Sequence, residues 1–426
     1  MSLNTTDHYW SLIQDRWPAR AHLKWLAKIY SGATPSRENA EYWAEGVHPW
    51  IGSGEVNQGL VTDPTALISD LAVQETSTKL MRKGALIIAL AGQGRTKGTV
   101  AQLGIDCFGN QSLSCIDARN DDDRFLFWWL TSLYRQIRGL ASDDSRDGLN
   151  QEMVGSIPIP IVDISIQRVI ANYLDRETAR IDGLIAEKQR MLELLEEKRA
   201  ALFSHVVTRG LDPEVPLKPS CQEWLGEIPA HWRVERAKNL FTVRDERSDD
   251  GSEELLTVSH ITGVTSRSEK DVYMFEADDK AGYKRCMPGD LAINTLWAWM
   301  GAMGISPLAG IVSPDYHVYT SKGELLPEYV DLLCRSLPFV AEVSRWSKGV
   351  WSSRLRLYPE NFFEMRLPVP PHDEQAAIVR AVKVDQRKAN ALRESLQLSI
   401  SLANERRAAL ITAAVTGQIP LEEMTG

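Results

Sequence analysis

The chain has 426 residues, 43% of them hydrophobic and 25% charged, with a formal net charge of −9. That length exceeds what one hydrophobic core organises, so two or more domains are expected in a soluble globular protein. No run of about 18 apolar residues is available for a membrane span, and the opening MSLNTTDHYW lacks the basic and apolar regions of a signal peptide. The five cysteines are scattered and show no CxxC spacing. They suit buried thiols in a reducing cytoplasm better than a disulfide frame or a zinc site.

In chain order, residues 1–163 form a mixed region. Short apolar runs such as ALIIAL alternate there with turn signals and helical patterns such as RFLFWWLTSLYRQIRGL. The proline-punctuated strand IPIPI, Ile157 to Ile161, comes near its end. Residues 164–210 then place Ile170, Leu174, Ile181, Leu184, Met191, Leu195 and Leu202 on alternating steps of four and three, with Glu177, Lys188 and Lys198 as polar interruptions. That is the seam of a paired helix, about 40 residues or roughly 60 Å long. A linker with Pro213, Pro216, Pro219 and Pro229 opens a second mixed region, residues 211–371, ending in LPVPP. Residues 372–418 repeat the helical pattern, with Ile378, Val382, Leu392, Leu396 and Leu410 on the seam, and 419–426 form a tail.

The two halves echo each other. EKRAALFSHVVTRG begins at residue 197 and ERRAALITAAVTGQ at 405, a shift of 405 − 197 = 208. The same shift places Gln167 on Gln375 and Ile170 on Ile378, and earlier RKGALI faces MPGDLA with Gly84 on Gly289. So long a period marks duplicated domains rather than a solenoid. The expected fold is α+β: two tandem mixed domains separated by two long helices. These helices pair as an antiparallel coiled coil, the whole being an internal duplication with pseudo-two-fold character.

Catalytic constellations are missing from the sequence. No HExxH, Cys/His cluster or G-x-S-x-G elbow occurs, AGQGRTKGT does not satisfy the phosphate-loop spacing, and neither the NPPY/DPPY nor the FxGxG signature of amino-methyltransferases is found. Charge is more telling. Between Glu75 and Asp106 there is no acid, while Lys79, Arg82, Lys83, Arg95 and Lys97 are basic; Arg345 to Arg356 is likewise acid-free, with Trp346 and Trp351 interleaved. A basic segment in each copy points to a polyanion with two contact sites. Any single charge run is more often only a solvated face, and any single tryptophan more often a core anchor.

At these residues the chain resembles the specificity subunits of type I restriction–modification systems. SGATPSRENAEYW…HPWIGSGEVNQG, EWLGEIPAHW, PGDLAINTLWAWMGAMGISPLAGIVSPDYHVY and LPVPPHDEQAAIV carry the resemblance, which spans essentially the whole sequence. The first copy departs from it, with IPIPIVDISIQRVI in place of the PP…EQ segment. The resemblance implies a non-catalytic DNA-recognition subunit. Residues 1–163 and 211–371 become target-recognition domains, each reading half of a bipartite sequence in double-stranded DNA, and the helices set the unread spacer. The implied partners are two modification (methyltransferase) subunits and restriction (motor and nuclease) subunits. S-adenosylmethionine, ATP and Mg belong to those partners, with no cofactor or metal and no membrane contact in this chain. Candidate DNA contacts are Gln93, Arg95, Thr96, Lys97 and Gln111 in the first domain, and Trp299, Tyr316, His317, Lys348, Trp351 and Arg354 in the second. The rival readings are a methyltransferase or nuclease fusion acting alone and a coiled-coil scaffold that binds only protein.

Overall fold

The computed structural model describes residue 17 and residues 19–118, 121–140, 148–269, 279–349 and 355–425. It divides into two compact units, residues 1–187 with 398–426, and residues 188–397. Each unit therefore holds one mixed domain and half of each long helix.

In the first unit the strands β1 (Ala27–Ser31), β2 (Leu60–Val61), β3 (Leu86–Ala89), β4 (Val100–Leu103) and β5 (Leu113–Ala118) form a sheet in the order β1-β5-β3-β4-β2. β3 reads LIIA without polar alternation because both of its faces are covered. Leu86 and Ile88 enter one core, shared with helix α1 (Asp123–Ser132), while Ile87 and Ala89 enter another with Val61, Ala101 and Leu113. Asp122 caps α1, its carboxylate accepting from the Arg124 and Phe125 amides at 3.0 and 3.3 Å. Ahead of β1, Arg20–His22 pairs antiparallel with Pro158–Pro160, the strand that leads into the first long helix, α2 (Ile164–Arg209).

The second unit repeats this plan. Strands β6 (Phe241–Val243), β7 (Leu291–Asn294), β8 (Met303–Ile305) and β9 (Tyr316–Ser321) run in the order β6-β9-β7-β8, matching β1-β5-β3-β4. Helices α3 (Pro327–Cys334) and α4 (Leu337–Trp346) follow, and Arg233–Arg236 pairs antiparallel with Arg366–Val369 ahead of the second long helix, α5 (His372–Val415). The sequence alignment holds at single residues. Gly84 and Gly289 precede matching strands at φ +92° and +91°, a conformation costly for a side chain with Cβ. Buried Gln167 accepts from the amide of Asp122, the cap of α1, at 2.8 Å and donates to Val162 O at 2.9 Å. Gln375 likewise accepts from Leu326, the cap of α3, at 2.7 Å and donates to Pro370 O at 2.8 Å.

Within each unit the two long helices pack antiparallel. In the first, Ile170 and Leu174 of α2 share a core with Ile411, Ala414 and Val415 of α5, and Arg407 forms a two-pronged ion pair with Asp182, 2.8 and 3.1 Å. In the second, Phe203, Val206 and Val207 of α2 share a core with Ile378, Val379 and Val382 of α5, and Arg393 bonds Glu196 at 3.1 Å. The ion pairs lie 196 − 182 = 407 − 393 = 14 residues apart on both helices, two heptads in one register.

The seam differs from its expected line in one respect. Ile181, Val382 and Leu396 are buried on it, and Leu195, Leu202 and Leu410 half-buried, but Leu184, Met191 and Leu392 are 46%, 48% and 44% exposed. Their places are taken by the next residues, Ile185, Leu192 and Arg393, which are half-buried. Adjacent apolar pairs at 184–185 and 191–192 make either line equally hydrophobic. The partner helix decides between them, because Arg393 must reach Glu196.

Candidate nucleic-acid interface

In the first unit the β3–β4 hairpin loop is a glycine-punctuated stretch, with Gly94 at φ +60° and Gly98 at φ +82°. Its backbone is held from several sides. The Gly98 amide returns to Ala89 O at 2.9 Å, the Tyr134 hydroxyl donates to Arg95 O at 3.1 Å, and Arg138 donates to Gly94 O. This bracing leaves the Gln93 and Arg95 side chains exposed to solvent. Thr96 turns back, accepting from Asn57 Nδ2 at 3.2 Å. Lys97, expected as a DNA contact, is only 7% exposed and so does not present its ammonium to a polyanion. Gln111 lies exposed in the turn before β5, at the same end of the sheet, and accepts from Thr34 Oγ1 at 2.6 Å. The acid-free run does not form one patch. Lys79, Arg82 and Lys83 precede β3 and Arg95 follows it, so they sit at opposite ends of the strand, and the Asp106 carboxylate accepts the Lys83 amide at 2.7 Å.

The second unit places its candidates around the matching hairpin, β7–β8. Trp297 and Trp299 stack with ring centroids 6.4 Å apart and planes at 17°. Trp299 spends its indole N–H on Leu296 O at 3.1 Å, while Trp297, left out of the candidate set, is 50% exposed. Tyr316 is opposite Asn294 on neighbouring strands and its hydroxyl accepts from Asn294 Nδ2 at 3.0 Å; burial pushes the phenol pKa up. Next to it, His317 has its pKa pushed down to about 4, by burial first and by the nearby Lys284 second. Lys284 Nζ lies 3.5 Å from His317 Nδ1 and donates to Tyr316 O at 2.6 Å; it is buried, and burial lowers its own pKa. Tyr316 and His317 are thus half-buried and face Asn294 and Lys284 at the hairpin's flank.

Lys348 is exposed and exchanges backbone hydrogen bonds with Arg356, both 2.9 Å, and Leu357 N bonds Thr295 O at 3.3 Å. Trp351 and Arg354 lie outside the described residues. The first unit has the same tie, from Leu149 N to Leu90 O at 2.7 Å. Arg356 is a further exposed cation here, legible only as one member of the basic run. Arg345, from the same run, is paired with Glu223 at 2.9 Å and Glu342 at 3.4 Å, acids distant or a helical turn away. Among the described residues no group of three His, Cys, Asp or Glu could hold a metal ion, and no helix is long and apolar enough to cross a membrane.

A family model described as "Type I restriction modification DNA specificity domain" matches residues 21–194. The specificity subunit of the Escherichia coli EcoR124I/EcoR124II type I restriction enzyme is 25% identical over 187 residues, 42% of this chain. That match spans 46% of the relative, less than half of its length. The E. coli EcoprrI specificity subunit is 25% identical over 327 residues, 67% of this chain and 77% of the relative. Residues 21–194 are thus similar to the DNA specificity domain of type I restriction–modification systems. A solved chain from a study of complex assembly and conformational transition of a type I system shares the fold at TM-score 0.71 with 14% identity, covering 94% of this chain and 98% of that one. As in that fold, the chain combines tandem α+β domains with long helices. In both units a leucine after the helices bonds a carbonyl just past the first strand of the β-hairpin, Leu149 N to Leu90 O and Leu357 N to Thr295 O.

Proposed function

We propose that this chain is a type I specificity subunit that reads a bipartite double-stranded DNA target, one half with each hairpin-loop end. The observation that carries the reading is the equivalence of the two sites: topologically matched hairpins carry Gln93 and Arg95 in one unit and Trp299 in the other, where exposed Lys348 follows α4. A two-stranded ribbon fits the major groove, where Gln pairs two-pronged with adenine and Arg with guanine. Gln111 joins the first set. Thr96, Lys97, Tyr316 and His317 act on DNA through the backbone they hold.

The chain itself is non-catalytic and cytoplasmic in this reading. It docks two modification subunits, which bring S-adenosylmethionine, and restriction subunits, which bring ATP and Mg. The test is genome-wide mapping of methylated adenines in cells expressing this chain with its modification subunit. One bipartite motif, lost when this chain is omitted and altered in one half by changing Gln93 and Arg95, is the expected result. DNA methylation by the purified chain alone with S-adenosylmethionine would show a self-sufficient enzyme instead.

A further inference from the structure

The duplication lets one unit show what the other leaves open. Asp122 and Leu326 are equivalent helix caps, because Gln167 and Gln375 hold their amides in the same way. With 326 − 122 = 204, buried Phe125, Leu126, Trp129 and Leu130 of α1 fall on buried Tyr329, Val330, Leu333 and Cys334 of α3. Trp128 then falls on Leu332, and Arg124 on Glu328. The helix shift of 208 places Asp175 of α2 on Lys383 of α5.

In the first unit the cleft between α1 and α2 is filled by the chain's own tryptophan. Trp128 is 5% exposed, its indole N–H donates to Asp175 Oδ1 at 2.8 Å, and Arg124 bonds the other carboxylate oxygen at 3.0 Å. Arg407 lies over the ring, 5.8 Å from its centroid. In the second unit the smaller Leu332 stands in that position, and an open cleft of about 520 Å³ remains, lined by Glu328, Leu332, Lys383 and Gln386 among others. That volume is in the range of small-ligand sites, roughly 300–1,000 Å³. The charges at these positions are reversed between the copies: Arg124 and Asp175 become Glu328 and Lys383. Asp331 and Arg335, also at the cleft, already bond each other at 2.9 Å.

We propose that this cleft binds an indole-sized nitrogen heteroaromatic group, in the space that Trp128 fills in the other unit. Glu328 accepts the ring N–H, as Asp175 does for Trp128, and the Lys383 ammonium covers the ring face as Arg407 does. Leu332 and Val379 form the apolar floor. The group arrives either as a free small molecule or as a tryptophan side chain of a partner polypeptide, since both present the same chemistry.

The full chain is titrated calorimetrically with indole, and separately with the blocked peptide acetyl-Gly-Trp-Gly-amide. Saturable one-to-one binding of at least one probe is expected. The tighter probe names the source, free indole for a small molecule and the peptide for a side chain. Leu332→Trp, which reproduces the filled copy, should abolish binding. Glu328→Gln should weaken it about tenfold, the loss of one charge-assisted hydrogen bond. Glu328 and Lys383 are exposed at the rim, so E328Q and K383A remain informative if Leu332→Trp fails to fold. No saturable binding of either probe overturns the assignment. So does binding unchanged in both a folded Leu332→Trp and the E328Q/K383A double variant.

Discussion

Arg95 and Lys97 are two residues apart on one loop, yet only Arg95 faces solvent. If Arg95 neutralises a phosphate or reads a guanine, Arg95→Ala lowers DNA affinity and reduces the slope of log K against log salt by about 1. Lys97→Ala leaves that slope unchanged and acts on loop stability; filter binding of the assembled complex at several salt concentrations separates the two. His317 gives a pH test. Its native pKa, about 4, lies below the ordinary 6.5, so the unfolded chain takes up the proton first. The stability from the neutral imidazole is complete above pH 6.5 and lost as pH falls from there towards 4. His317→Gln should remove up to one proton from the pH dependence of unfolding in this window, measured by urea titration. An unchanged slope there would mean that the imidazole is not held neutral.

Elements are fixed to each other by a few buried polar groups. Gln375 accepts from Leu326 N and donates to Pro370 O and to Glu324 O, the last at 3.0 Å, so it ties the start of α5 to the start of α3. Gln375→Leu orphans these backbone groups and should cost about 1–3 kcal/mol, read from the denaturant midpoint; Gln167→Leu should behave the same way in the first unit. The Arg407–Asp182 pair is partly exposed, 30% and 50% at the side chains, so its charge counts for little on its own. Trp128 under Arg407 matters more, and Trp128→Ala is expected to cost about 3–5 kcal/mol as a buried aromatic truncation. The ends of the long helices explain their echoed sequence. Val207 and Val415 are fully buried in the core of one unit or the other, and Thr208 and Thr416 each bond the carbonyl four residues back at 2.7 Å.

For the whole molecule, the proposed reading makes helix length a measure of the spacer between half-sites. Adding seven residues to each helix at paired positions lengthens them by about 10 Å, about three base pairs at roughly 3.4 Å each. The methylated motif should keep both halves and gain about three unread positions; a motif with unchanged spacing would remove the helices from that role. A substitution in the β3–β4 loop should likewise relax one half of the motif and leave the other intact.

By itself the sequence determined the duplication, the α+β class and the two long helices, because heptad spacing, proline-marked strands and matched segments are properties of order along the chain. It also marked Gln167 and Gln375 as a pair, through their shared place ahead of each seam. Only the tertiary structure decided which side of Leu184–Ile185 faces the partner helix, since both residues are apolar and burial depends on what lies opposite. It likewise buried Lys97, half-buried Tyr316 and His317 and left Trp297 in solvent. Acids distant in sequence settled the basic runs in the same way, because charge balance is a sum over space. The open cleft at Leu332 belongs to that class too: a leucine in place of a tryptophan becomes a cavity only when a second helix walls it.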